Sequence, residues 1–563
     1  MMDVQFTLVL SLVEALGLTI FQQHNYGSIN LSSMVSYQTI TTYILSYILH
    51  LFVAQYVTIK LYRIFIWPRL FSPLRHIPGP KTPFYSPLGS MPAILSGDSP
   101  IDTYVTWAKM WPTTPFIRFL SIFNTETLIA VTPEATKEVF TTHCYDFKKP
   151  AIVANYMSHI LGTRGVLFIE GDAHKAARKR LNPLFAGTNV KRMLPLFQQK
   201  AREMTNWFTS KLDSNGTQTI DVANVYNMMT IDIIGIAVFG IELENLSSTD
   251  NQQKKWDFLS CYKMLFEQST LSAILTFINA AVPIRWIPLK ANRDFTGASR
   301  QVRKMTTEVV RNRMREVNEK TQFGTVSGGN DLLTMMIEDV WKFRQGEGLD
   351  EEYIVDEMLT FLLAGHETSA NALLWATYAM AVKPDVQDKL RAEIATLFEK
   401  DEHKVPTMGE IESLPYLNCF LKEVLRLYSP ALFGYREAIN DLYLCGEFIP
   451  KGTTIMYSPH VTCSSEAIWG PTAGQFIPER WEKSEGPATD PYSTNNFING
   501  PRVCVGKQFA LVEIKTLLVE IVPRFRLGMS PQLKALGGKL PKMMNPGVTY
   551  RPADALYVTF ERI

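Results

Sequence analysis

From Ile40 to Ile59 the chain runs twenty residues without a formal charge, ITTYILSYILHLFVAQYVTI. As a helix that run is long enough to cross the hydrocarbon core of a bilayer. Lys60, Arg63, Arg69, Arg75 and Lys81 follow at once, and no Lys or Arg stands before it. Basic residues stay on the cytosolic side, so everything after residue 60 is expected there. Tyr43, Tyr47, Tyr62 and Trp67 are spaced to sit at the interfaces. The competing reading is a buried core helix, which the length disfavours. An earlier apolar stretch, Phe6 to Phe21, is interrupted by Glu14 and lacks a basic leader. It reads as a second span, an interfacial helix or a poor signal peptide. With one span or two, Asn30 of the Asn-Leu-Ser sequon faces the lumen. The sequons at Asn215 and Asn245 face the cytosol and are expected to stay unmodified.

Seven prolines fall between Pro68 and Pro92, among them those of Ile77-Pro78-Gly79-Pro80. Proline fixes φ and stiffens the backbone, so this segment reads as a semi-rigid spacer. The expected organisation is an anchor region over 1–67, with its span at about 40–59, a hinge over 68–92 and one body over 93–563. Within the body, Val190 to Leu212 and Arg300 to Lys320 carry apolar residues at helical spacing. Lys320 to Asn330 is polar and glycine-containing and predicts a loop. A long helix is expected from Asp350 to Val382, with acids at its positive end and Lys383-Pro384 as its stop. Val548 to Phe560 alternates around a turn at Pro552 to Asp554 and predicts a hairpin. Hydrophobic residues make up 46%, which suffices for a core and excludes a chain disordered throughout. With 56 basic against 54 acidic residues, no basic excess points to nucleic acid. The six cysteines form no C-x-x-C pair, which argues against a disulfide scaffold and a structural zinc site and suits a reduced compartment.

One cysteine has a distinctive setting. Residues 497–506 read Phe-Ile-Asn-Gly-Pro-Arg-Val-Cys-Val-Gly, and the amphipathic KQFALVEIKTLLVEIV follows. A thiol just ahead of a helix lies near free backbone N–H groups and the positive end of the dipole, which is expected to lower its pKa. A thiolate is a soft ligand suited to heme iron. Gly500 and Gly506 would let the backbone approach a flat cofactor, and Arg502 can meet a carboxylate bidentately. The segment resembles the cysteine signature of the cytochrome P450 family, the heme-thiolate monooxygenases, at Phe497, Gly500, Arg502, Cys504 and Gly506. The family usually has glycine where this chain has Ile498, a departure that bears on loop shape more than on ligation.

Further motifs follow the family's order. Glu423 and Arg426 form a Glu-x-x-Arg pair on one helix face. Phe476-Ile477-Pro478-Glu479-Arg480-Trp481 resembles the Pro-Glu-Arg segment. The resemblance joins Glu423, Arg426 and Arg480 in a buried network behind the heme. Ala364-Gly365-His366-Glu367-Thr368 resembles the oxygen-activating helix. There Thr368 can bond one turn back, loosening the helix beside Gly365, and Glu367 with Thr368 could relay protons. Gly171-Asp172-Ala173-His174 leads to Arg178 and is similar to the propionate-binding helix. Many members have Trp where this chain has His174, and a histidine can still donate to a propionate. Arg436, after Tyr428-Ser429-Pro430, matches a second propionate arginine by position. Two other motifs fail on spacing: Ala370 stands where a zinc protease needs its second histidine, and Gly500 to Lys507 has one residue too many for a phosphate loop.

The resemblance implies a mainly helical α+β fold with small sheets and a thiolate-ligated heme b (iron protoporphyrin IX), with Cys504 as axial ligand. Ala364 and Gly365 would line the heme, while Glu367 and Thr368 would deliver protons. It implies O2, and electrons from NADPH through a cytochrome P450 reductase, with cytochrome b5 a second candidate donor. Arg178, Arg180 and Lys507 would offer that partner a basic face. The chain looks closest to fungal microsomal members, which implies an endoplasmic-reticulum membrane anchor with a cytosolic catalytic body. The substrate would be an apolar small molecule, a terpenoid or polyketide intermediate. Its pocket would draw on Ala151 to Phe168, Phe361 to Ala364, Ala431 to Tyr435 and the turn near Pro546. Competing readings are a non-oxygenating heme-thiolate isomerase or dehydratase, a heme carrier or sensor, and a membrane interaction protein without heme.

Overall fold

The computed structural model describes Ser11, Glu14 and residues 37–563, apart from 247–256, 267–269, 323–328, 345–349, 400, 402, 484 and 546–548. The sequon at Asn30, most of the Phe6 to Phe21 stretch, most of the expected loop after Lys320, and Pro546 lie outside the described residues. The chain divides into two compact units: residues 1–92 with 118–127, and residues 93–117 with 128–563.

In the first unit the uncharged run forms helix α1, Tyr37–Leu61, continued by a π-turn at Tyr62–Ile66 and a short turn at Trp67–Leu70. The most apolar 18-residue stretch within Leu45–Leu70 has a mean hydropathy of 1.2 and none of it is buried, and Leu45–Leu70 as a whole runs 26 residues. At 1.5 Å per residue it is about 39 Å long, more than a bilayer core requires. Leu45, Leu49, Val53 and Val57 point outward, as on a span and unlike a core helix. Ser11 and Glu14 both hydrogen-bond to Gln55 of α1. The proline-rich segment packs onto residues 118–124. The Arg118 N–H donates to Pro78 O at 2.9 Å and the Asn124 amide to Ser86 O at 3.1 Å. A Cβ on Gly79 would lie 1.7 Å from the Arg118 carbonyl oxygen, so only glycine permits this approach.

The second unit is helical, with three small sheets. Its principal helices are α2 (Ala151–Leu161), α3 (Gly171–Leu184), α4 (Gly187–Lys211), α5 (Val222–Phe239), α6 (Phe258–Phe266), α7 (Thr270–Ala281), α8 (Lys290–Gln322), α9 (Leu332–Arg344), α10 (Glu351–Val382), α11 (Pro415–Leu427) and α12 (Lys507–Ile521). Helix α10 is the axis. Asp350 caps it by accepting the Tyr353 N–H at 3.3 Å, Glu351 and Glu352 fill its first turn, and Pro384 opens the next helix. Its flanks are buried nearly all round, against α5, α8 and α12 among others. Trp375 is sandwiched by Tyr428 and Tyr550, with centroids at 4.8 and 5.3 Å, and its indole N–H donates to Tyr550 O at 2.9 Å. Truncating a tryptophan so placed costs about 3–5 kcal/mol.

The strands are β1 (Phe116–Leu120), β2 (Glu126–Ala130), β3 (Phe147–Lys148), β4 (Thr217–Asp221), β5 (Gly434–Ala438), β6 (Leu442–Leu444), β7 (Glu447–Ile449), β8 (Thr454–Tyr457), β9 (Phe525–Met529) and β10 (Tyr557–Arg562). One sheet has the order β1-β2-β8-β5-β3, and its antiparallel β5–β8 register sets Arg436 opposite Ile455. The expected C-terminal hairpin is corrected. Strand β10 does not fold back on its own neighbours but lies between β4 and β9, with Val558 opposite Ile220 and Met529. Its alternation was real, since Val558 and Phe560 are fully buried, but a period of two does not name the partner strand.

Candidate active site

Cys504 lies in a short loop closed by local bonds. Its N–H donates to Phe497 O at 2.8 Å, and the Val503 N–H to Gly500 O at 3.0 Å. Helix α12 begins at Lys507, and the Gly506 N–H reaches the Cys504 thiol. The expectation of a lowered thiol pKa is overturned: crowding by protein raises it, outweighing the Gly506 N–H and the charges of Arg178 and Lys507. The residue as a whole is nonetheless exposed. Gly500, at φ +79°, would set a Cβ 2.5 Å from Thr141 Oγ1, so its freedom serves packing on residues 140–141, whereas a Cβ on Gly506 would meet open space. Phe497 packs partly buried beneath the Lys507 ammonium, 5.7 Å from its ring centroid. Ile498 adopts φ +57°, a left-handed conformation costly for a β-branched residue.

Beside the loop stands a cluster of buried cations. Arg502 pairs with Glu170 and covers the Tyr145 ring, yet its Nε and Nη1 are buried without acceptors among the described residues. Arg436, on β5, gives Nη1 to Tyr435 O at 2.9 Å and leaves Nε unmet. Burial, then Arg502, pulls its guanidinium down to about 10. Arg178 of α3 also has an unmet Nε, and its charge is felt by Cys504. His174 is one turn before Arg178 on α3, with Nδ1 at 3.3 Å from the Tyr145 hydroxyl. Burial and the charges of Arg502, Lys149, Arg178 and Arg436 press its pKa down to about 3, so the ring is neutral. Lys149 joins this set unforeseen, 3.6 Å from Glu170 and lowered to about 8 by burial and Arg436. Three of these cations, Arg502, Arg436 and Lys149, thus share one carboxylate, Glu170. Of the three residues read as a basic docking face, Lys507 is exposed, but Arg178 and Arg180 are partly buried with covered Nε atoms.

Helix α10 packs against α12, the helix that follows the cysteine loop. Ala364 is exposed there between half-buried neighbours. The Thr368 hydroxyl donates to Ala364 O at 2.7 Å, the back-bond expected of a helical threonine. The helix does not open beside it: a Cβ on Gly365 would lie 2.4 Å from Ile234 Cδ1, so the glycine admits α5. Glu367 is buried and turns to a different partner from Thr368, accepting the Thr549 hydroxyl at 2.6 Å, with Arg551 Nε at 3.8 Å. Asn371 donates to the same hydroxyl at 3.1 Å. His366 is sealed in the core, with Nδ1 at 2.8 Å from Leu362 O and its ring edge-on to Tyr262. A further link escaped the sequence motifs. Glu513 of α12, pushed up to about 8 by burial, is bound by the Ser369 hydroxyl of α10 at 2.6 Å. At the N-terminal end of α10, Asp356 accepts the N–H groups of Thr163 (2.9 Å) and Arg164 (3.0 Å) and pairs with Arg303 of α8 at 2.5 Å.

Glu423 and Arg426 of α11 have no solvent exposure. Glu423 accepts Arg426 Nε and Nη2 at 2.8 Å each, Arg480 Nε at 2.9 Å, the Ile477 N–H at 2.9 Å and the Trp481 indole at 3.0 Å. Arg426 also donates to the carbonyls of Cys463, Ala473 and Gln475. The motif residues that the sequence lines up are therefore brought together by the fold in three groups.

Comparison with known proteins shows the family. The Cytochrome P450 family model matches residues 104–552. The cytochrome P450 monooxygenase sphH of Aspergillus fumigatus is 32% identical, the match covering 89% of this chain and 90% of that protein. The cytochrome P450 monooxygenase FUM15 of Gibberella moniliformis is 30% identical over 82% and 84%. The cytochrome P450 monooxygenase ALT8 of Alternaria alternata is 28% identical over 88% and 90%. With its mainly helical fold and small sheets, the chain belongs to the cytochrome P450 family of monooxygenases.

Proposed function

We propose that this chain is a membrane-anchored heme-thiolate monooxygenase that hydroxylates or epoxidises an apolar small molecule, a terpenoid or polyketide intermediate. The observation that carries the reading is the surplus of buried cations with unmet N–H groups at Arg178, Arg436 and Arg502, beside the one exposed cysteine. That set fits an anionic, planar, iron-bearing group: two propionates would supply the missing acceptors, and the open Gly506 face would admit the ring.

In this reading Cys504 Sγ would hold the heme iron, steadied by the Gly506 N–H and the Arg178 charge. A bound metal deprotonates a thiol outright, so the raised thiol pKa does not oppose ligation. Arg436, Arg502, Arg178 and neutral His174 would hold the propionates, and Phe497, Ala364 and Gly365 would bound the ring. When bound, heme b supplies oxygen activation with electrons delivered by the redox partner, NADPH–cytochrome P450 reductase, with cytochrome b5 a second donor. The Glu367 carboxylate holds a proton site that Thr549 and Asn371 order, and Thr368 presents a hydroxyl one residue on. Glu423, Arg426 and Arg480 fix the segment that leads into the cysteine loop. Residues 1–67 anchor the chain in the endoplasmic-reticulum membrane, 68–92 form the hinge, and 93–563 are the cytosolic catalytic body.

The test is the reduced, carbon-monoxide difference spectrum of the membrane fraction. A strongly red-shifted Soret band in wild type, absent in Cys504→Ala, is expected. A band at the position of a histidine-ligated heme, or none, overturns the assignment.

A further inference from the structure

Glu367 stands next to Thr368 in the chain, yet the fold ties it to the C-terminal segment. Its Oε1 accepts the Thr549 hydroxyl at 2.6 Å and lies 3.8 Å from Arg551 Nε. The Thr368 hydroxyl is engaged one turn back, on Ala364 O at 2.7 Å. A third side chain fixes the sense of the Thr549 hydroxyl. Asn371, one turn past Glu367 on α10, donates Nδ2 to Thr549 Oγ1 at 3.1 Å. A hydroxyl has a single hydrogen, and an amide N–H cannot accept it, so the Thr549 hydrogen is directed at Glu367. Glu367, Asn371 and Thr549 are all buried, where a hydrogen bond to a charged group is strong.

The donor is held in place by contacts that do not involve Glu367. Thr549 pairs with Ala431 in an antiparallel bridge. Tyr550 gives its N–H to Pro430 O at 3.0 Å, takes the Trp375 indole N–H on its own carbonyl at 2.9 Å, and stacks on that indole. Pro552 pairs with Met543 in a second bridge. The hydroxyl therefore stands at a preset point, and the carboxylate is fitted to it. An oxygen that accepts from a hydroxyl and faces a guanidinium is the less basic of the two, which leaves Oε2 to carry a proton. We propose that Thr549 is a positioning residue for proton delivery, holding Oε1 of Glu367 as a constant acceptor so that the acid loads and unloads its proton at Oε2; this rests on the monooxygenase assignment above. The proton comes from water, forms the O–H bond at Oε2 and leaves from the same oxygen, so Glu367 is restored after each transfer. Asn371 and Arg551 maintain the arrangement without carrying the proton.

The experiment uses full-length, heme-loaded protein whose carbon-monoxide band has first been recorded, so failure of the parent assignment is seen separately. Infrared spectra are taken over a pH series, and the protonated-carboxyl band missing from Glu367→Gln reports Glu367. Thr549→Val should raise the pH at which that band disappears by about 1 to 2 units, the value of one hydrogen bond to a charged group. Thr549→Ser, which keeps the donor, should leave it where wild type has it. NADPH oxidation with reductase and no added substrate is followed over the same series; there O2 takes up two electrons and two protons and leaves as hydrogen peroxide. Its pH profile should move with the band in Thr549→Val and stay in Thr549→Ser. A band unmoved by Thr549→Val, a Thr549→Ser variant that behaves like it, or a band that moves while the profile does not overturns the proposal, the last by making the bond purely structural. If Thr549→Val does not load heme, Asn371→Leu decides: it frees the hydroxyl to turn and should move band and profile in the same direction by a smaller step, and no movement of either overturns the proposal.

Discussion

Two clusters of arginines stand in the body of the molecule, and they are opposites. Around Glu423, each N–H of Arg426 meets an acceptor, and the carboxylate is saturated by Arg426, Arg480, Ile477 and Trp481. Around Glu170, Arg502, Arg436 and Arg178 keep unmet donors, and charge is left over. The first cluster is complete as folded. The second is completed only by an anion. Burial alone therefore does not distinguish a structural ion network from a binding site; the balance of donors and acceptors does.

The largest effect should come from breaking the complete cluster. Glu423→Ala leaves Arg426 buried and unpaired and should cost about 3–5 kcal/mol, read as a collapse of the unfolding midpoint with or without heme. A shift no larger than that of a surface variant would erase the contrast. Arg436→Met should act the other way. Removing a buried, half-bonded cation should leave the heme-free protein as stable or more so, while heme loss to a scavenger protein becomes about 10- to 100-fold easier. Equal damage to both properties would make the second cluster structural as well.

Acid titration sharpens the comparison further. His174 has a folded pKa near 3 against 6.5 unfolded. Between these values the unfolded chain takes up a proton that the folded chain refuses, so stability falls as pH drops below 6.5 and is unaffected above it. The slope should approach about 1.4 kcal/mol per pH unit in heme-free protein, flatten in His174→Asn, and be shallower once heme supplies negative charge. An identical slope in all three would remove His174 from the cluster. The smallest effect belongs to the loop itself. Ile498→Gly should relieve the left-handed strain and, after the extra chain entropy of glycine, stabilise by about 0.5–1 kcal/mol in a denaturant titration.

What the sequence could disclose follows the same physics. The cysteine loop and the Glu423–Arg426 pair were legible because their partners are neighbours in the chain, closed by local bonds and by one helix face. Lys149, Glu170 and Thr549 were not, because the contacts that give them meaning span the fold: 332 residues separate Glu170 from Arg502, and 182 separate Glu367 from Thr549. The lowered thiol pKa failed for a related reason. Helix position predicts a favourable dipole, but the desolvation that outweighs it comes from packing that no local pattern encodes. The C-terminal strand was read as a strand and given the wrong partner, since β4 lies more than three hundred residues upstream.

Asp356 carries one more consequence, which concerns time rather than affinity. A single carboxylate holds two amides of the 162–166 turn and the Arg303 guanidinium of α8, with Gly162 pressed so close that any side chain would collide with it. Three segments therefore share one latch. When it opens, both amides and the guanidinium lose their acceptor in the same event, so this edge of the body does not fray bond by bond. At alkaline pH, where opening limits exchange, the amide protons of Thr163 and Arg164 should exchange with solvent as a pair, at one rate, and that rate is the breathing frequency of the α2–α8 side of the molecule.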